Sequence, residues 1–331
     1  MDIEFHYYIT YLVALEAGFA QEEAEIIAAS SQMVDDNTEI NYIENHAGEI
    51  YKTYISQTAN ILKPDDELFR IYPIFHFVPG EYINSSTFRK DGIMHVLNTT
   101  PNSKKAQNLM NLALDSKNLY RIGIAAHTYS DTWAHQNFIG YYSYFNSLQG
   151  VLEKAIPNIG HADARHKPDL VSLIWKDERL ISKNEIVDNN QRFLEATACL
   201  LKYFLRYTEK KIINRDLFLE TINSIFSLAG CSYYHKQKRK DMYNKFSCRL
   251  SGKQIPKYDQ FSWFREAVAI QNNDSMFLPN LNYDRTKYVW KEKNYKKSNY
   301  YCFIEAVKKH QRVVGKIFET DKYSQLELDR W

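Results

Sequence analysis

The stretch 118–139, NLYRIGIAAHTYSDTWAHQNFI, decides how this chain is read. Its helix formers and apolar period predict an α-helix. Within it, His127, Asp131 and His135 follow one another at four-residue steps. On an α-helix each such step rotates a side chain by only about 40°, so the three line one face across roughly two turns. Imidazole and carboxylate in that mix suit zinc, iron or manganese. The plainer reading is an aromatic-rich helix whose His and Asp hydrogen-bond inside a core.

Outward from this helix the pattern stays helical. Residues 2–19 predict an amphipathic helix with Phe5, Ile9, Leu12, Val13 and Leu15 near one side and Gly18 as its stop. Residues 21–34 open with acids and predict a second helix running into Asp35-Asp36-Asn37. The stretch 38–58 has no decisive period. Residues 68–79, LFRIYPIFHFVP, are aromatic and β-branched and predict an extended run or short strand before the turn Pro79-Gly80. Thr100-Pro101-Asn102-Ser103 signals a helix over 102–115. A loop-rich tract covers 140–169, and helices are expected again at 170–177, 185–207, 215–230, 258–271 and 301–319. Between them, 232–257 (with KQKRK at 236–240) and 272–300 suggest solvated loops. No repeat or compositional break divides the chain. Residues 1–331 therefore predict one mainly α domain, with a ligand-bearing core at 1–170 and a helical, loop-rich extension at 171–331.

The composition fits a soluble globular chain: 331 residues, 44% hydrophobic and 25% charged. Gly (11) and Pro (8) are too scarce for a turn-rich all-β fold. A net charge of +2 gives no field to draw in nucleic acid, so no stable nucleic-acid partner is expected. No apolar run approaches the roughly 18 residues of a membrane helix. Residues 1–6, MDIEFH, carry no secretory signal pattern. Cys199, Cys231, Cys248 and Cys302 form no CxxC pair, which suggests reduced thiols and a cytoplasmic protein. There is no Gly-rich phosphate loop, no G-x-S-x-G elbow and no Cys/His dyad.

Further ligand types lie elsewhere. His6 follows Asp2 by four residues, and Asp35 and Asp36 end the second helix. His76 sits in the apolar run Ile74–Val78, where a lone histidine is more often a core residue. His161 and Asp163 open a loop that also holds His166 and Asp169. His46, His95, His235 and His310 lack a partner pattern and are read as structural or surface groups. Tyr7, Tyr8, Tyr129, Trp133 and Phe138 flank the candidates; core packing is the simpler role, a lipid wall or base-stacking platform the functional one.

The order His6, Asp35, His76, His127-x3-Asp131, His135, His161 resembles the zinc-dependent phospholipase C and S1/P1 nuclease superfamily. The pieces MDIEFHYYITYLVALEAGF, ASSQMVDDN, AAHTYSDTWAHQNF and IGHADARHKPD also resemble a bacterial domain-of-unknown-function family, strongly over residues 1–170 and weakly beyond. The superfamily resemblance implies a mostly helical fold whose metal cluster hydrolyses phosphate esters. It implies one metal on His76, His127 and Asp131. A second would sit on His135 and His161 with a further carboxylate, and a third on His6 sharing Asp131. Asp35 would be the unliganded general base; on chemistry alone, Asp35 or Asp36 could orient the attacking water or take its proton. The superfamily has a Glu four residues after the counterpart of His161, where this chain has Arg165; Asp163 is the substitute, ahead of His166 and Asp169. It also uses a processed terminal amine on the third metal, which Met1 does not match, so Asp2 replaces it or the third site is absent.

Two or three divalent ions are thus expected, zinc first, with manganese or iron as alternatives. The implied activity is hydrolysis of a small phosphomonoester or phosphodiester by metal-activated water attacking phosphorus. Two other classes use such ligands: a di-iron-type oxygen-activating enzyme, and a non-enzymatic binding or effector protein with a structural metal site.

Overall fold

A computed structural model describes residues 1–58, 60, 65–81, 83, 85–148, 158–211, 215–228, 230, 232–272 and 286–318. A π-helix over Glu4–Ile9 runs straight into α1 (Thr10–Glu16). Then come α2 (Gln21–Asp36), α3 (Asp65–Phe69), a second π-helix over Tyr72–His76, α4 (Lys104–Asp115) and α5 (Leu119–Ala134). The later helices are α6 (Asn189–Thr208), α7 (Arg215–Phe226), α8 (Tyr233–Ser251), α9 (Ser262–Ala267) and α10 (Asn299–Phe318).

α5 is the axis of the molecule. The Asn118 side chain caps it by accepting from Arg121 N at 3.0 Å. Every residue from Ile122 to Ala134 is buried, as expected of a helix enclosed on all sides. α2, α4, α6 and α10 surround it. At Gly123 an added Cβ would stand 2.3 Å from the Ile27 carbonyl oxygen, so only glycine lets α2 and α5 approach this closely. That contact brings Asp35, at the end of α2, beside His127 one turn along α5.

Strands are short. β1 (Tyr42–Glu44) and β2 (Ile50–Lys52) form a hairpin; β3 (Tyr142–Ser143) pairs with β4 (Asn158–Ile159), and β5 (Ile174–Lys176) with β6 (Ile186–Asp188). β7 (Val268–Asn272) and β8 (Thr286–Trp290) are antiparallel, and β8 runs parallel to β1, giving the order β2-β1-β8-β7.

Several expectations need correction. Residues 2–19 are not one α-helix, because the first turns open into a π-helix. Within 68–79, Tyr72–His76 is helical rather than extended and only Pro79 makes a strand-like bridge, to Thr99: Pro73 falls in the first turn of the second π-helix, where its missing N–H costs nothing. Residues 170–177 hold strand β5, whose exposed–buried–exposed pattern sets Trp175 against Val187. Asp188 caps α6 instead of lying inside it. The basic stretch 232–257 is mostly α8, since Lys, Arg and Gln are good helix formers and Arg239, Tyr243 and Phe246 supply a buried side. Within 258–271, helix gives way to β7 at Val268, and 286–290 is strand. No helix among the described residues is long and apolar enough to cross a membrane.

Candidate metal centre

Five local structures deliver the ligand-type side chains. The first π-helix presents His6, the end of α2 presents Asp35, and the second π-helix ends on His76. α5 presents His127 and Asp131, and His135 follows as its C-cap, its backbone N donating to Asp131 O at 2.8 Å. A run of turns after Gly160 brings in His161 and Asp169. π-helical turns are rare and concentrate at functional sites, because the extra residue re-aims a side chain.

These groups meet in three sets: His6, His127 and Asp131; Asp35, His76 and His127; and His135, His161 and Asp169. His76 Nδ1 is 3.1 Å from His127 Nε2 and 3.3 Å from Asp131 Oδ2, and His127 Nε2 is 3.2 Å from the same oxygen. His6 Nε2 is 3.1 Å from Asp131 Oδ1. His135 Nε2 is 3.1 Å from Asp169 Oδ1, and His161 Nε2 is 3.3 Å from Asp169 Oδ2. Donors that share one ion at about 2.0–2.2 Å lie roughly 3.0–3.5 Å apart, so the spacing fits cation ligands. Asp35 stands further off, its oxygens 3.7 to 3.9 Å from His76, His127 and His6.

The outer contacts point the same way. His76 Nε2 donates to Ser56 O at 2.9 Å, His135 Nδ1 to His76 O at 2.7 Å, and His161 Nδ1 to Arg165 O at 2.7 Å. Each bond fixes a tautomer whose other nitrogen carries its lone pair into the cluster. Burial holds the His6, His76 and His161 imidazoles below their usual range, hence neutral. Burial pushes the Asp131 carboxyl up, but His135, the Met1 amine, His127 and His6 outweigh it and hold it well below the usual range. Asp169 is likewise held down, by His161 and the Met1 amine against burial. Burial raises Asp35. For His135, burial is outweighed by Asp131 and Asp169, which raise it. Carboxylates packed among imidazoles form a donor set that a divalent cation could complete.

One cavity of about 770 Å³ exposes Asp35, His76, His135, His161 and Asp169. His6, His127 and Asp131 are fully buried. Tyr72, Phe77, Ile3 and Ile159 give the cavity an apolar side, and among the described residues Arg165 is the only Arg or Lys in its lining.

His6, Asp35, His76, His127, Asp131, His135 and His161 are therefore brought together. Asp163 is not: its carboxylate accepts from Leu148 N at 3.3 Å, and Asp169 takes the place beside His135 and His161. Asp36 is also elsewhere, accepting from Tyr258 Oη at 2.7 Å and from Gln32 at 3.2 Å. Asp2 pairs with Lys236 at 3.2 Å. The Met1 nitrogen, set aside in the sequence reading in favour of Asp2, is the group at the cluster, 2.5 Å from Asp131 and 3.3 Å from Asp169. His310 is a core residue stacked on Phe75. Tyr7 and Tyr129 follow the packing reading, buried with their hydroxyls bound to Pro256 O and Asn102.

Fold and cluster together define a mainly helical protein with His/Asp groups able to hold metal ions. The chain belongs to DUF6765, a family of unknown function, which matches residues 1–318. No curated protein and no solved structure matches it.

Proposed function

We propose that this protein is a metal-dependent phosphoester hydrolase. The observation that carries the reading is the opening of linked His/Asp groups onto one cavity whose lining includes Arg165. The ligand order shared with the phospholipase C and S1/P1 nuclease superfamily supports it by analogy. His76, His127, Asp131 and His6 would hold the inner ions, zinc first, and His135, His161 and Asp169 the outer one. Ions held there would supply Lewis acidity toward phosphoryl oxygens and acidify water. Asp35 lines the cavity at the edge of ligand distance and would take the proton of an attacking water. Arg165 would hold an anionic oxygen of a small phosphomonoester or phosphodiester.

The test is elemental analysis of purified protein with parallel assays on p-nitrophenyl phosphate and bis(p-nitrophenyl) phosphate. Two or more ions per chain, lost in Asp131→Asn, with hydrolysis lost in the same variant, are expected. Less than one ion per folded chain, prepared without chelator, would sink the proposal.

A further inference from the structure

Phe77 follows His76 and packs against the outer set. Its ring lies face to face with the His135 imidazole, centroids 4.4 Å apart and planes at 17°. The His161 imidazole leans on the same ring, at 5.9 Å and 42°. The two imidazoles are themselves 4.8 Å apart. Phe77 is buried and lines the metal cavity. Two glycines make room for it. A Cβ at Gly160 would stand 2.5 Å from Phe77 Cζ, and one at Gly140 2.9 Å from Phe77 Cβ. Gly160 also takes φ +56, in the region that favours glycine, and His161 is the next residue.

We infer that Phe77 is the positioning residue of the outer metal site: its ring fixes the planes of the His135 and His161 imidazoles and so sets how tightly His135, His161 and Asp169 hold an ion. A ligating nitrogen must aim its lone pair at the ion, so the plane of each ring matters as much as its place. His135 Nδ1 donates to His76 O and His161 Nδ1 to Arg165 O. One such bond leaves an imidazole free to tilt about it, and the face of Phe77 removes that tilt. The Arg165 carbonyl lies in the same run of turns as His161, so that bond travels with the turn. The contact with Phe77 ties the imidazole to the end of the second π-helix instead. Phe138 meets His161 only edge-on at 6.0 Å, with Arg179 4.0 Å over its face. Among the described residues Phe77 stacks on neither His6 nor His127, which stack on each other at 3.8 Å. Its influence is therefore confined to the outer ion.

The inference rests on the metal reading of the cluster and not on hydrolysis. The test is equilibrium dialysis of the zinc-loaded full chain against buffers of graded free zinc, with ions per chain read by elemental analysis. The step lost in Asp169→Asn marks the outer ion. Phe77→Leu, which keeps an apolar side chain without a flat face, should weaken that step by about 10-fold or more and leave the other steps within about two-fold. Gly160→Ala, which pushes on the ring from the other side, should do the same. Inner ions retained by a variant show that it has folded, and should one variant fail to fold the other decides. Equal weakening of every step would mean a merely structural role and overturn the inference. So would an outer step unchanged in either folded variant. Less than one ion per folded wild-type chain would overturn it together with the metal reading. Full loading without hydrolysis of either p-nitrophenyl ester would end the hydrolase reading alone, and the split between outer and inner steps would still stand.

Discussion

Asp35 and Asp36 are adjacent, yet only Asp35 reaches the cluster. Successive residues on a helix are about 100° apart, so two neighbouring carboxylates at one helix end do not share a site. That rule was available in the sequence and excludes Asp36 from the cluster. The spacing of His127, Asp131 and His135 was legible because it depends only on the period of one helix. The identity of Asp169 was not. It reaches His135 through consecutive turns in which Arg165 takes φ +54, a non-local path that no spacing announces. If Asp35 takes the proton, Asp35→Asn keeps the wild-type metal content and lowers turnover by about 100-fold or more. Metal loss in that variant would make it a ligand instead. His310 gives a separate prediction: burial, with Arg121 and His127 adding to it, holds its imidazole down to about 3. Its unfolded value is about 6.5, so the neutral core histidine stabilises the fold fully above that pH. The contribution is lost as pH falls toward 3, and amounts to about 2 kcal/mol by pH 5. In His310→Gln the melting temperature should fall less between pH 7 and pH 5 than in the wild type.

At the scale of elements, the first π-helix is held by a buried ion pair. Arg239 of α8 donates to Glu4 through Nε at 2.7 Å and Nη2 at 2.8 Å, and also to the carbonyls of Leu228 and Gly230. The basic run around Arg239 looked solvated because four of its five residues are charged, and charge counts do not reveal which cation points inward. Removing one partner of such a pair leaves the other buried and uncompensated, at about 3–5 kcal/mol. Arg239→Met should lose that much in urea unfolding and, through the π-helix, weaken metal retention at His6. The π-helices themselves were not legible, since an i→i+5 turn is selected by tertiary contacts and not by local propensity. Helices α2, α4, α5 and α10 were legible to within a few residues, because their caps and periodic apolar faces are local signals.

At the scale of the molecule, the cluster joins the N-terminal π-helix, α2, the second π-helix, α5 and the turns before β5. Ions bound there would bind the folded chain and not the unfolded one, so they would add RT ln(1 + [L]/Kd) to its stability. Dialysis against a chelator should therefore lower the melting temperature of the wild type by several degrees and leave that of Asp131→Asn nearly unchanged. A midpoint indifferent to chelator and zinc would remove the cluster from any structural role. The prediction of one mainly α body came from apolar periodicity throughout the chain. The sheet was missed because its strands are short and β1 finds β8 only across the molecule.

The Glu4–Arg239 pair also has a consequence for synthesis. All eight cluster residues have left the ribosome once Asp169 has, but Arg239 is 70 residues further on. At about 5–20 residues per second that interval is roughly 4–14 s. During it His6 rides on a segment without its anchor, so the region translated first would mature last, and any ion held by His6 would be retained only once α8 is complete.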